Sequence, residues 1–200
     1  MKYFLLLATG FLLILPCSAL AETTTWKIDT DHSGAQFSIQ HMVIAKVRGG
    51  FSGIEGTVVV DEKNLTSAVF EASIPVATIN TGNARRDDHL RSADFFDVEK
   101  YPQMTFRSKK VTLGEEENTL KALGDLTMRG VTREVELLIS GPTPPIVDPW
   151  GNIRRGARAT TTLNRKDFGL AWNQVLETGG LLVGEEVDIV IDVELIRDKN

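Results

Sequence analysis

The sequence predicts an all-β protein: a single eight-stranded antiparallel barrel with one short helical insertion near a barrel mouth. Three observations carry this. Apolar and polar residues alternate in eight separate segments, the pattern of strands with one dry face and one wet face, which belong to antiparallel sheets. The 200 residues are 42% hydrophobic and 24% charged, ordinary values for one globular domain. One polar stretch without β-branched residues, within 83–97, interrupts the strands and suits a helix lying across an open end. Closure into a barrel removes the exposed strand edges that would otherwise invite pairing with other chains.

The elements follow in chain order. Residues 1–21 read as a cleavable signal peptide. Lys2 is its positive start, Phe4 to Leu15 its apolar stretch, and Ala19-Leu20-Ala21 its small-x-small site, which places the cut before Glu22. The apolar run is shorter than the ~20 residues a spanning helix needs. The protein is therefore expected in the periplasm or outside the cell, with 22–200 forming one domain. Cys17 is the only cysteine, so the mature chain relies on burial rather than disulfides and has no thiol chemistry.

A short strand at Thr24–Ile28 precedes the eight. In 35–42, Ala35, Phe37, Ile39 and His41 share a face; in 54–61, Ile54, Gly56, Val58 and Val60 do. In 70–79 the apolar face is Phe70, Ala72, Ile74 and Val76, with Pro75 at an edge or bulge because it lacks a donor. Asn83 is the N-cap of the helix over 83–97. Met104 and Phe106 mark 103–111; Leu120, Ala122, Gly124, Leu126 and Met128 mark 120–129. Met128 to Thr132 reads as a hairpin turn into 134–140, with Val135, Leu137 and Ile139 inward. Residues 141–151, which hold four of the seven prolines, read as a loop. Ala157, Ala159, Thr161 and Leu163 mark 157–164; Trp172 to Gly184 is a second loop; Val187 to Leu195 closes the set in 187–196.

Eight strands enclose an interior that is either filled by side chains or holds one slender ligand. The small inward residues Ala35, Gly56, Ala72, Ala122, Gly124, Ala157 and Ala159 leave room, and equally let a tight barrel close. A net charge of −5 argues against nucleic acid as a partner. No Gly-x-Ser-x-Gly and no phosphate-binding glycine loop is present. Asp87 and Asp88 are adjacent, so on a helix they diverge by about 100° and make a poor acid–base dyad. The three histidines, at 32, 41 and 89, lack metal-ligand spacing.

Several segments together resemble the YceI-like family of polyisoprenoid-binding, lipocalin-like bacterial proteins. They are Trp26 to Asp29 with Asp31-His32-Ser33; Phe37 to His41; Lys46 to Phe51; Asn83 to Asp97 running into Tyr101-Pro102; Gly124 to Thr132; and Asn164 to Leu170. The departures are Asp88, where the family pattern has a small residue, and the long proline-rich loop 141–151. The resemblance implies a lipocalin-like barrel that holds an isoprenoid lipid or isoprenoid quinone as cargo; it does not imply catalysis, and no cofactor or metal is expected. Membrane contact is then needed only for loading and unloading, and exposed sheet edges leave room for a homodimer.

On this reading the ligand-contacting candidates are Phe37, Ile39, His41, Phe70, Ile74, Phe95, Phe96, Met104, Phe106, Leu126, Met128, Leu137 and Leu163. His41 is either a satisfied core histidine or a contact to a polar group. Phe95 and Phe96, adjacent at the helix end, either plug the mouth or wedge between helix and barrel. The headgroup candidates are Arg86, Asp87, His89 and Arg165; arginine binds phosphate bidentately. The alternative for the helix residues is a salt-bridged cap that docks the helix. The pair Arg154-Arg155 reads as a solvated loop. Two other functions remain in view: an envelope enzyme using His41 or Asp87 with His89, and a protein-interaction scaffold with a filled barrel.

Overall fold

The computed structural model describes residues 23–177 and 179–199; the signal-peptide reading of 1–21 lies outside the described residues. Eleven strands form one antiparallel sheet. They are β1 (Thr23–Ile28), β2 (Gly34–His41), β3 (Ala45–Phe51), β4 (Glu55–Asp61), β5 (Asn64–Pro75), β6 (Gln103–Leu113), β7 (Thr119–Met128), β8 (Val131–Ser140), β9 (Ile146–Val147), β10 (Ile153–Asn164) and β11 (Val183–Arg197). Eight of them, β1-β4-β5-β6-β7-β8-β10-β11, pair in a ring that closes from β11 back to β1. The expected eight-stranded antiparallel barrel is therefore present.

Membership of the ring differs in one respect from the periodicity reading. The short N-terminal strand is a full member, while β2 belongs to a hairpin with β3 that extends the wall at one end. The long β11 makes this possible. Its C-terminal end pairs with β1 through Leu195–Arg197, and its earlier part, Val183–Asp192, pairs with β2. Between β1 and β2 the chain bends at Asp29–Ser33. Asp29 donates its N–H to the Glu194 carbonyl at 2.8 Å, and Ser33 Oγ accepts from Glu194 N–H at 3.1 Å, so both backbone groups of Glu194 are bonded where the ladder passes from one strand to the next. β3 carries no alternation signal: Ala-Lys-Val-Arg-Gly-Gly-Phe is a strand because β2 pairs with it from His41↔Ala45 to Ala35↔Phe51.

Other boundaries move for local reasons. β5 begins at Asn64, and Pro75 is its last residue, followed by a 3₁₀ turn over Val76–Thr78. The helix, α1, spans Ala84–Arg91 rather than 83–97. Asn83 caps it, its side chain accepting from Arg86 N–H at 3.1 Å. Ser92 ends it, with both its N–H and its hydroxyl on the His89 carbonyl, and 92–98 folds back under it. Inside 141–151, Ile146–Val147 pairs with Ile153 and Arg154, so part of the expected loop is a small hairpin.

Two apolar clusters fill the walls. The larger includes Val76, Phe95, Met104, Leu137, Leu163 and Phe168; the smaller gathers Trp26, Val60 and Leu195 from the neighbouring strands β1, β4 and β11. The Arg154-Arg155 pair is a correction: both residues lie in β10, not in a loop. Arg155 points inward, 7% exposed, its guanidinium 4.0 Å over the Trp26 ring and hydrogen-bonded to Glu62 at 2.6 Å. Arg154 points outward onto Asp29, Asp148 and Glu194.

Candidate functional site: an apolar barrel cavity with a basic mouth

A cavity of about 790 Å³ occupies the barrel and reaches the surface beside α1, where the exposed Asn83 and Arg85 contribute to its lining. Its walls are the inward positions of the strands. All thirteen residues expected to contact a ligand line it: Phe37, Ile39 and His41 from β2; Phe70 and Ile74 from β5; Met104 and Phe106 from β6; Leu126 and Met128 from β7; Leu137 and Leu163 from β8 and β10; and Phe95 with Phe96 from the segment after α1. Period 2 on a half-wet sheet places the eleven strand residues there.

Apart from Ala122, which is fully buried and does not line the cavity, the small inward residues divide into two groups. Ala35, Ala72, Ala157 and Ala159 line the cavity and widen it. Gly56 and Gly124 instead let strands and rings approach. A Cβ on Gly56 would lie 2.2 Å from the Glu71 carbonyl oxygen, and one on Gly124 2.4 Å from the Phe106 ring.

Phe95 and Phe96 both face inward, because the helix ends before them and no 100° rotation separates them. Phe96 meets Phe51 edge-on at 5.7 Å, and Phe51 meets Phe37 at 5.8 Å. Phe95 packs with Trp172 at 5.3 Å, and His89 stands edge-on to both rings. These aromatic contacts join α1 and the loop after it to β2, β3 and the 172–184 loop. Trp172, Phe51, Leu182 and Val183 line the mouth although periodicity did not single them out; they lie in β3, in the loop before β11 and at the first residue of β11, where there is no pattern to read.

The headgroup candidates separate. Arg86, His89 and Arg165 line the cavity; Asp87 is not among the lining residues. It is buried and accepts from Thr81, from the N–H at 2.9 Å and the hydroxyl at 2.5 Å. Thr81 in turn accepts from Arg86 Nε at 2.7 Å, and its carbonyl accepts from Arg86 Nη2 at 2.8 Å. Asp87 thus ties the helix to Thr81 by hydrogen bonds rather than by the salt bridge of the cap alternative. His89 pairs with Asp94 at 2.9 Å. Arg165, 4% exposed, donates to the carbonyls of Gly184, Leu170 and Val183. Burial pushes its guanidinium below the usual arginine range, with nearby Glu185 opposing the shift.

Arginine-to-carbonyl bonds recur around this end. Arg91 reaches Ala77 and Ile79, and Arg129 reaches Gly169 and Ala93. They hold the mouth loops without placing carboxylates in the lumen.

Among the described residues, one group of potential metal ligands lies elsewhere: Asp29, His32 and Glu194, at the β1–β2 bend. Arg154 already donates to both carboxylates, so a guanidinium supplies the positive charge there. Burial raises the Asp29 carboxyl, but hydrogen bonds from Arg154 and His32 outweigh it and hold it below the usual range. The Asp29 bond likewise raises His32.

Comparison with known proteins agrees with this geometry. The YceI-like domain matches residues 26–195. The chain belongs to the YceI-like family. The UPF0312 protein SA2479 of Staphylococcus aureus is 35% identical over 173 residues, covering 86% of this chain and 96% of that protein. Among solved structures, a Campylobacter jejuni YCEI protein superposes with a TM-score of 0.65 at 26% identity, covering 81% of this chain and 91% of its own. Burkholderia cenocepacia BcnA shares the fold, with a TM-score of 0.71 at 20% identity, 84% of this chain and 98% of its own. So does a polyisoprenoid binding domain from Saccharophagus degradans implicated in plant cell wall breakdown, with a TM-score of 0.61 at 13% identity, 86% and 98%.

Proposed function

We propose that this YceI-like protein is a periplasmic or secreted carrier that holds an isoprenoid-type lipid or isoprenoid quinone in its barrel. The observation that carries the reading is the cavity itself, about 790 Å³ and walled by apolar side chains. A filled barrel would have no use for a chain-shaped ligand. Each methylene moved from water into such a lumen gains ~0.8 kcal/mol, so ten give roughly 8 kcal/mol before ordering costs. The polyisoprenoid binding of the Saccharophagus relative's domain supports this choice of cargo, and the signal-like residues 1–21 support the compartment.

The protein solvates its cargo and performs no chemistry on it. Asp87 is turned onto Thr81 and His89 onto Asp94, so the two do not form an acid–base pair. Membrane contact is brief and confined to loading and unloading. Val43 and Ile44, 73% and 79% exposed at the tip of the β2–β3 hairpin, suit that contact.

Native mass spectrometry of protein purified from its own cell envelope, followed by solvent extraction, tests the proposal. A bound mass belonging to a prenyl ladder is expected. Protein that carries no lipid, and takes none up from extracted envelope lipids, would overturn it.

A further inference from the structure

Of the eight asparagines in the chain, Asn64 alone is followed two residues on by a hydroxyl side chain, in Asn64-Leu65-Thr66. Asn-x-Ser/Thr without a central proline is the acceptor pattern for asparagine-linked glycans, and it needs an exposed turn in an exported protein. The β4–β5 hairpin supplies the turn. β4 ends at Asp61 and β5 begins at Asn64, and these two residues pair across it. Glu62, Lys63 and Asn64 are all exposed.

The side chains are arranged for the reaction as well as accessible to it. Asn64 Oδ1 accepts from Thr66 Oγ1 at 2.7 Å and from Thr66 N–H at 3.3 Å. Asn64 Nδ2 has no partner among the described residues. An amide nitrogen is a poor nucleophile because its lone pair is shared with the oxygen. Donors on Oδ1 stabilise the negative charge left there when Nδ2 gives up a proton, and hydrogen bonds to a charged acceptor are the strong ones. The rest of the turn does not use Nδ2: Ser67 Oγ donates to the Asn64 carbonyl at 2.7 Å and accepts from Asp61 N–H at 3.0 Å. A substituent on Nδ2 therefore leaves the hairpin bonded as before.

The position is also clear of the cavity mouth. β5 runs from Asn64 to Pro75, beyond which the chain turns toward α1. At ~3.3 Å per residue, Asn64 lies about 36 Å down the strand from that end.

We propose that Asn64 is the attachment site of an asparagine-linked glycan. The donor is an oligosaccharide joined through its anomeric carbon to a polyprenyl diphosphate, brought to the hairpin by an envelope oligosaccharyl transferase. Asn64 Nδ2 forms the bond to the anomeric carbon, and the bond from that carbon to the diphosphate oxygen breaks. The diphosphate leaves with the electron pair, the Nδ2 proton passes to a base of the transferase, and nothing is oxidised or reduced. This rests on the exported compartment proposed above and is independent of the cargo.

Tandem mass spectrometry of digested protein, purified from its own cell envelope, is the test. The peptide containing Asn64 is expected to carry sugar residues on that side chain. Asn64→Gln and Thr66→Val, expressed in the same cells, are expected to lose the whole addition. Thr66→Ser, which restores the hydroxyl, is expected to keep it, and this separates loss of the hydroxyl from damage to the hairpin. A bare Asn64 on a chain that begins at Glu22 overturns the glycan and leaves the compartment standing. A bare Asn64 on a chain that still carries 1–21 overturns both. A glycan that survives Asn64→Gln overturns the assignment to this residue, and one that survives Thr66→Val overturns the part given to the hydroxyl.

Discussion

Arg154 shows how a single side chain organises a surface of this barrel. It bonds Asp148 at 2.6 Å and reaches Asp29 and Glu194 at 2.5 Å each. Burial raises the Asp148 carboxyl, yet hydrogen bonds from Asn152, Arg154 and Trp150 outweigh it and hold it well below the usual range. The same balance lowers Asp29. A carboxyl whose folded pKa is depressed stabilises the fold above its unfolded value, near 4, and loses that contribution as pH falls through the folded value. His32 runs the other way. Raised by Asp29, it helps below its ordinary value of about 6.5 and ceases to help as pH rises through its folded one. Thermal melts from pH 7 to pH 2 should therefore show wild-type stability falling below about pH 4. Arg154→Gln should start lower at neutral pH and fall less steeply in acid. Parallel curves for the two proteins would refute the linkage.

At the scale of elements, turns and caps decide where the mouth lies. The β7–β8 hairpin has a two-residue turn in which Arg129 and Gly130 have φ of 50° and 73°, the geometry that suits right-twisted strands. A side chain at Gly130 would be strained in φ, and its Cβ would stand 2.5 Å from the Tyr101 ring. Gly130→Ala should cost about 1–2 kcal/mol, measured by urea unfolding. Because Arg129 links this turn to the carbonyls of Ala93 and Gly169, the variant should also speed hydrogen exchange in 92–97 and 165–170. Unchanged exchange there would mean that the turn does not brace the mouth loops. The sequence pattern showed this turn, the Asn83 cap and the inward residues of every ring strand it marked. It did not show β3, whose glycines and charges have no period, or the early end of α1, which depends on Ser92 folding back onto His89.

At the scale of the molecule, function depends on empty space. Ala159 lines the cavity from β10, half-buried and next to Ile139 and Ile191 in the ladder. Ala159→Phe puts a ring into the lumen. It should abolish retention of the native lipid in extraction assays while leaving the melting temperature within a few degrees of wild type, because the ring fills space rather than displacing packed neighbours. Retention undiminished by the ring would show that the cargo lies elsewhere.

Alternation along the chain determined which side chains face the lumen. A strand's faces follow from its period of two, whatever its neighbours are. That is why the eleven strand residues among the thirteen expected contacts were legible, whereas Phe95 and Phe96 lie in the segment after α1, where no period of two places them. Tertiary structure alone decided what those walls enclose. Whether Gly56 and Gly124 open space or draw strands together depends on the backbone or ring opposite them. Whether Asp87 faces the lumen or Thr81, and whether Arg155 is solvated or lies over Trp26, depends on residues distant in the chain. Charges and small residues take their meaning from partners in space, and a one-dimensional pattern does not carry those partners.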